Sequence, residues 1–155
     1  MRLGFKIVGV PEAAEALDQI SEELAGQHLA DSAMAGGDIL ANAWKDEVGE
    51  KGYSTGNYER EIHAEVTHQS KGRAEVTVGT GIMDPNYPYV LEFGMTIKAR
   101  RFPYLHFKTK DGWVKVKQVV IPAFGWARKA WDKSIGRVAR EIEQALMEKV
   151  DLIWR

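Results

Sequence analysis

Four histidines are the residues of this chain best suited to ligate a metal or move a proton near neutral pH. His63 and His68 differ by five positions, which predicts that they lie on opposite faces of a strand. His28 stands in an acidic stretch and His106 in a basic one. Because no pair has the spacing of a known metal motif, the sequence predicts no metal site and solvated or half-buried histidines.

The sequence supports phosphate binding and nucleophilic catalysis no better than it supports a metal site. The stretch VGTGIMD (78–84) lacks the third glycine of the dinucleotide fingerprint and the Gly-Lys-Ser/Thr of a P-loop, so a turn that leaves a strand explains it better. The chain has no Gly-x-Ser-x-Gly motif and no cysteine. Glu59, Glu61 and Glu65 are expected to share one solvated strand face. The sequence therefore predicts no catalytic residues, no enzymatic activity and no cofactor.

The segment KARRFPYLHFKTKDGWVKVK (98–117) carries seven Lys/Arg and one acidic residue, interleaved with Phe102, Tyr104, Phe107 and Trp113. Three interpretations stay open. Aromatic rings among cations on a β-ribbon are typical of nucleic-acid binding, which makes a nucleic-acid-binding module one candidate function. A solvated hairpin whose aromatics serve the core is the second, and an arm that docks on an acidic neighbour is the third. The candidate contact residues are Lys98, Arg100, Arg101, Lys108, Lys110, Trp113, Lys115 and Lys117.

Length and composition place these residues in a soluble globular chain. Its 155 residues suit one domain, with 45% hydrophobic and 28% charged residues. The absence of cysteine excludes disulfides and thiolate zinc sites. No run approaches the roughly 18 apolar residues of a membrane helix, so no membrane contact is expected.

Charge is divided unevenly along the chain. Residues 1–94 hold 7 Lys/Arg and 16 Asp/Glu, whereas residues 95–155 hold 14 and 6. Such asymmetry is typical of a tail, a nucleic-acid face or two surfaces that attract each other. Local neutralisation inside one folded domain is an equally good interpretation.

Hydrophobic periodicity predicts an α+β fold, in which a long N-terminal helix and a long C-terminal helix pack on an antiparallel sheet. Gly36 and Gly37 indicate either a kink near 35–37 or close packing of another element. The residues SKGR (70–73) predict a turn between two strands of a hairpin. The segment YVLEFG is a strand or a short helical turn, and Asp111-Gly112 predicts a hairpin turn. The predicted elements of this single domain are a strand at 3–10, a helix at 11–48, a loop at 49–57, a sheet within 58–121 that includes a basic hairpin at 98–121, and a helix at 123–153.

At this level of detail the chain resembles the tailed-phage head–tail joining family, also described as tail-component or tail-completion proteins. That family runs as a strand, a Gly-Val-x-Glu-like entry into a long helix, a Thr-Gly loop, a hairpin, a Tyr-Ala-x-x-Val-Glu-Phe-Gly-Thr motif and a proline-containing entry into the last helix. The counterparts here are VGVPEAAEAL, YSTGNYEREI, AEVTVGT, YPYVLEFGM and IPAFGWARKAW, which span nearly the whole chain.

The resemblance implies a structural virion protein of the neck or tail top, assembled in the bacterial host cytoplasm. It implies a homo-oligomeric ring, expected to be six-fold, that contacts head-connector and tail-tube proteins and joins or terminates the tail. DNA passing through the ring would be contacted without sequence preference. An acidic half of one subunit facing the basic half of the next would suit such a ring.

The resemblance also assigns structural roles to the residues that match the family motifs: Thr55, Gly56, Tyr87, Tyr89, Glu92, Phe93 and Gly94. If 89–94 is a strand, Val90 shares a face with Glu92. The carboxylate is then expected to hold a loop by accepting hydrogen bonds, with Arg100 or Arg101 as a partner. Gly94 would permit a tight exit from this segment.

Overall fold

The computed structural model describes residues 2–8, 22–49, 57–81 and 87–153. The chain divides into two compact units: unit 1 comprises Met1–Gly81 and Ala127–Arg155, and unit 2 comprises Ile82–Trp126. The fold is α+β, with two long helices packed against antiparallel sheet. Its elements are β1 (Arg2–Val8), α1 (Glu22–Gly49), α2 (Asn57–Glu61), β2 (Ile62–Ser70), β3 (Arg73–Thr80), α3 (Tyr87–Phe93), β4 (Met95–Lys98), β5 (Leu105–Thr109), β6 (Gly112–Val116), β7 (Gln118–Ile121) and α4 (Trp126–Ile153).

The sheet of unit 1 has three antiparallel strands in the order β1-β3-β2. Its hairpin turns at Lys71-Gly72, as the sequence predicts. Alternation places small and branched residues on one face, where they form a core with α1 and α4. The buried members of this core are Ala25, Leu29, Ala30, Ala33, Ala74, Val76, Leu146 and Val150.

A β-bulge at Thr67 changes which side chains of β2 lie on the face of the sheet opposite the core. The register between β2 and β3 shifts between Val66 and His68, so that Thr67 has no opposite residue. His63 pairs with Gly79 and His68 with Glu75, two β3 positions on the same face. The expectation that the two histidines lie on opposite faces is therefore wrong, because the inserted residue reverses the alternation.

Helix α1 continues through the glycine pair without a break. A Cβ at Gly37 would lie 2.7 Å from Val76 Cγ1 and 3.0 Å from the Ala64 Cβ of the sheet. A Cβ at Gly36 would lie 2.6 Å from Ile142 Cγ1 on α4. Of the two explanations for these glycines, close packing is therefore the correct one.

Helix α4 runs antiparallel to α1. Lys149 Nζ lies 3.6 Å from Asp31 Oδ2 near the start of α1, while Lys133 pairs with the buried Glu47 near its end. On α4, the small residues Ala130 and Ser134 are buried while Ile135 is exposed. Small residues on this side permit a closer approach, and the Ser134 hydroxyl donates to the Ala130 carbonyl at 2.6 Å.

One segment predicted to be a strand is helical, and one segment left open between strand and helix is also helical. Residues 57–61 form α2, so the strand predicted from Tyr58 begins only at Ile62. Residues 87–93 form α3, which settles the choice between a strand and a helical turn. The predicted helix at 11–48 is observed from Glu22 to Gly49, and its proposed start at 11 lies outside the described residues. The last helix begins at Trp126 rather than at 123, after Gly125 with φ of +62°.

The glycine pair gives a test of the packing. Gly37→Ala should destabilise unit 1 by about 1–3 kcal/mol despite the better helix propensity of alanine, because Val76 and Ala64 leave no room. Gly36→Ala should cost less, because the end of the Ile142 side chain can move. Chemical denaturation followed by circular dichroism measures these differences.

Gly136→Ala is the matched control, because a Cβ at this helical position meets no atom within 4 Å. It should stabilise the protein by about 0.5–1 kcal/mol. Equal effects of alanine at positions 37 and 136 would contradict the packing explanation.

A second test uses the pH dependence of a contact on the outer face of the sheet, between Arg73 and Glu75. A hydrogen bond from the Arg73 guanidinium, Nε to Oε1 at 3.0 Å, lowers the pKa of Glu75 below its ordinary value of 4.5. The ionised carboxylate therefore stabilises the folded state above about pH 4.5, and that contribution is lost as the pH falls through the folded pKa. NMR titration should give Glu75 a pKa below 4.5, and Arg73→Ala should raise it. An unchanged titration in Arg73→Ala would remove Arg73 as the cause.

Candidate interaction surface on the β-ribbon

The histidines and carboxylates do not assemble into a metal centre within the described residues, where no group of three or more is placed to hold an ion. His28 is half-buried on α1, and His63, His68 and His106 are exposed. The Glu59–Glu61–Glu65 group does not form one strand face, because the first two lie in α2 and only Glu65 lies in β2.

The basic segment forms the tip of a long hairpin. Thr109 pairs with Gly112 across a turn at Lys110-Asp111, and Gly112 has a φ of +123°, which side-chain-bearing residues rarely adopt. The Thr109 hydroxyl holds the turn, since it donates to the Gly112 carbonyl at 3.1 Å and accepts from the Asp111 N–H at 3.3 Å. The hairpin predicted from Asp111-Gly112 is thus observed.

The hairpin has two paired parts, β5–β6 at the tip and β4–β7 at the base. Between them, residues 99–104 of one strand lie opposite only Lys117 of the other. We call residues 99–104 the excursion. Its base is closed by a hydrogen bond from the Ala99 N–H to the Lys117 carbonyl at 3.2 Å. The excursion carries Arg100, Arg101 and Phe102, all exposed.

Pairing across β5 and β6 separates the side chains into two faces. His106 lies opposite Lys115, and Lys108 lies opposite Trp113. These four residues and Tyr104, which contacts Lys115, form what we call the cationic face. The other face carries the pairs Leu105–Val116 and Phe107–Val114 and is apolar. The strand register therefore sorts the lysines of β5 and β6 and the apolar side chains Leu105, Phe107, Val114 and Val116 onto opposite sides.

A groove borders the cationic face. It has a volume of about 590 Å³ and is lined by Phe102, Pro103, Tyr104, Leu105, His106 and Lys115. The Lys115 Nζ lies 4.5 Å from the centre of the Tyr104 ring, a cation–π contact. Phe102 and Trp113 are 75% and 77% exposed, so neither ring serves the core of the protein.

All eight candidate contact residues are exposed, but the structure does not bring them onto one face. Lys108, Trp113 and Lys115 share the cationic face. Lys98 belongs to β4, Lys110 lies in the turn, and Lys117 lies opposite the excursion that carries Arg100 and Arg101.

The uneven charge of the sequence is only partly neutralised by folding. Unit 1 contains 14 Lys/Arg and 19 Asp/Glu, because the basic residues of α4 join the acidic N-terminal region. Unit 2 contains 7 Lys/Arg and 3 Asp/Glu, a net charge of +4 against −5 for unit 1. The remaining positive charge is thus concentrated on the hairpin of unit 2.

The motif residues of unit 2 centre on α3. Glu92 is buried, whereas Tyr89 and Phe93 are exposed. Their rings lie one helical turn apart in a tilted contact, with centres 4.7 Å apart and planes at 45°. The expectation that Val90 and Glu92 share a strand face is wrong, because this segment is helical. Tyr87 begins the helix, and Thr55 and Gly56 lie outside the described residues.

Gly94 ends α3 in a left-handed conformation, with φ of +73°. Its N–H donates to the Val90 carbonyl at 2.8 Å, and the next two carbonyls accept from Phe124 at 2.8 Å and from Gly125 at 3.3 Å. The helix end is thereby joined to the residues that lead into α4. The signals for this helix were present in the sequence as Pro88 near its start and Gly94 just past its end.

Unit 2 exposes most of the large apolar side chains on the described surface. It supplies 40 of the 127 described residues but nine of the fourteen large hydrophobic side chains that are exposed there. These nine are Tyr89, Phe93, Met95, Ile97, Phe102, Tyr104, Phe107, Trp113 and Val120. Among the described residues, no helix combines the length and the apolar character that crossing a bilayer requires.

Comparison with known protein families, with curated proteins and with solved structures found no match to this chain.

Gly94→Ala tests the role of the motif glycine. A Cβ there would lie 2.9 Å from both the Ala123 nitrogen and the Ile121 oxygen, and alanine disfavours a positive φ. We expect a loss of about 2 kcal/mol or more in the stability of unit 2, with faster hydrogen exchange of residues 87–126. Gly72→Ala, in a turn with no atom within 4 Å of the added carbon, is the control and should leave exchange unchanged.

Proposed function

We propose that this protein is a structural subunit of a homo-oligomeric ring, placed by its resemblance at the head–tail junction or tail top of a tailed phage. The observation that carries the proposal is the concentration of exposed apolar side chains on unit 2. Isolated exposed hydrophobic residues are normal, but such a concentration on a small unit is typical of a surface that another chain covers. The residues assigned to this contact are the six outside the cationic face and its groove: Tyr89, Phe93, Met95, Ile97, Phe107 and Val120.

The strand pairing of unit 2 explains why a partner would stabilise it. Its two paired regions are each two-stranded, and two-stranded hairpins are marginally stable in water on their own. The helix α3 adds a buried Leu91 but turns Tyr89 and Phe93 outward. Contact with a neighbouring subunit would remove these rings from water and stabilise the hairpin at the same time.

Charge favours contact between unlike surfaces of neighbouring copies. With a net charge of +4 on unit 2 and −5 on unit 1, unit 2 of one copy is attracted to unit 1 of the next. Such a heterologous contact repeats head to tail, and it closes into a ring when the rotation between copies permits. The observed order of strand, long helix, hairpin, α3 with Gly94 and last helix also supports the proposed phage role, since the resemblance implies the same order.

Light scattering behind size-exclusion chromatography, followed by negative-stain microscopy, tests the assembly. We expect rings with a central opening that dissociate as salt is raised, because salt screens the attraction between the units. A strict monomer at every concentration and salt contradicts self-assembly of the chain.

Variants at the exposed ring pair show whether unit 2 makes the contact. Tyr89→Ser together with Phe93→Ser should shift the mass toward the monomer, since the two side chains are 49% and 54% exposed and contribute little to the core. Leu152→Ser is the control, because Leu152 is an apolar side chain of unit 1 that is 69% exposed. An unchanged mass distribution in the double variant would place the contact outside α3.

A further inference from the structure

We propose that the cationic face of the β5–β6 ribbon is a binding site for single-stranded nucleic acid. In this site, bases stack on Trp113 and in the groove beside Phe102 and Tyr104, while Lys108 and Lys115 contact the backbone phosphates. The inference does not depend on ring assembly, because every residue that it uses lies in unit 2 of one chain.

The strand register places two lysines next to Trp113. Lys108 lies directly opposite Trp113, and Lys115 follows Trp113 by two positions on the same strand and face. Directly opposite residues have Cβ atoms about 5 Å apart, and same-face neighbours along a strand are separated by about 7 Å. A base stacked on Trp113 would therefore have its flanking phosphates within reach of a lysine on either side.

Tyr104 and Lys115 contact each other at the groove. The ammonium group of Lys115 lies over the Tyr104 ring at 4.5 Å, so the cation is fixed at the edge of the groove. His106, opposite Lys115, extends the same edge. The groove of about 590 Å³ offers aromatic walls from Phe102 and Tyr104, and Pro103 adds a further apolar wall.

Charge complementarity selects the occupant. The segment 98–117 carries seven Lys/Arg against the single acidic residue Asp111, which attracts a polyanion. An acidic protein would satisfy the lysines but would leave Trp113, 77% exposed, without a planar partner. Unpaired bases provide both the phosphates and the rings, whereas the bases of a duplex are already stacked on each other. Recognition by stacking predicts little sequence preference.

Fluorescence anisotropy of the full chain with a labelled oligothymidylate of about 15 nucleotides tests the site. Trp113→Ala should raise the Kd about 10-fold or more and leave its salt dependence unchanged, because stacking is removed and the phosphate contacts stay. Lys108→Ala with Lys115→Ala should also weaken binding and should reduce the slope of log K against log salt by about 1.4, or about 0.7 for each phosphate contact.

Lys6→Ala with Lys129→Ala is the matched control, because it removes the same charge from exposed positions of unit 1. Binding that survives this control but falls in the ribbon variants supports the proposal. Equal losses of affinity in both lysine pairs would overturn it, and so would tighter binding of duplex than of single strand. Displacement of the oligonucleotide by polyglutamate of equal charge would overturn it in favour of an acidic protein partner. Circular dichroism melting of each variant checks that the fold is kept.

Discussion

Unit 1 depends on the close approach of α1 to both the sheet and α4, which occurs at two adjacent glycines of α1. Gly37 faces Val76 and Ala64 of the sheet, and Gly36 faces Val138 and Ile142 of α4. Successive helical residues point about 100° apart, so a side chain at either position would push one neighbour away. The glycines weaken the helix locally, but the packing that they permit on two sides outweighs their low propensity.

Other features of unit 1 follow from this approach. The alanines of α1 continue the small-residue surface along the core, and Ala130 and Ser134 are small residues among the buried positions of α4. Ion pairs from Lys149 and Lys133 join α4 to opposite ends of α1, in keeping with the antiparallel orientation of the two helices. The same pairing brings basic residues of the C-terminal region against acidic residues of the N-terminal region, which leaves much of the excess positive charge on unit 2.

Unit 2 is held together by different means. Backbone hydrogen bonds join the end of α3 to residues 124 and 125, and the hairpin is closed by paired strands and by the Thr109 hydroxyl. Few of its side chains are buried, so its rings and aliphatic residues remain available for contacts. Because the ribbon presents cations and aliphatic residues on opposite faces, one small unit offers surfaces for a protein neighbour and for a polyanion.

The sequence by itself determined the α+β class, two long helices, the hairpin turns at Lys71-Gly72 and Asp111-Gly112, and the exposed basic segment. These features depend on periodicity and turn chemistry, which act over a few residues. Only the tertiary structure decided which neighbours the glycine pair meets, which side of α4 is buried, and which charges are neutralised. The inserted Thr67 reversed a strand face, and the excursion at 99–104 displaced Arg100 and Arg101 from the cationic face. Such outcomes depend on contacts between residues far apart in the chain, and local propensity does not specify those contacts.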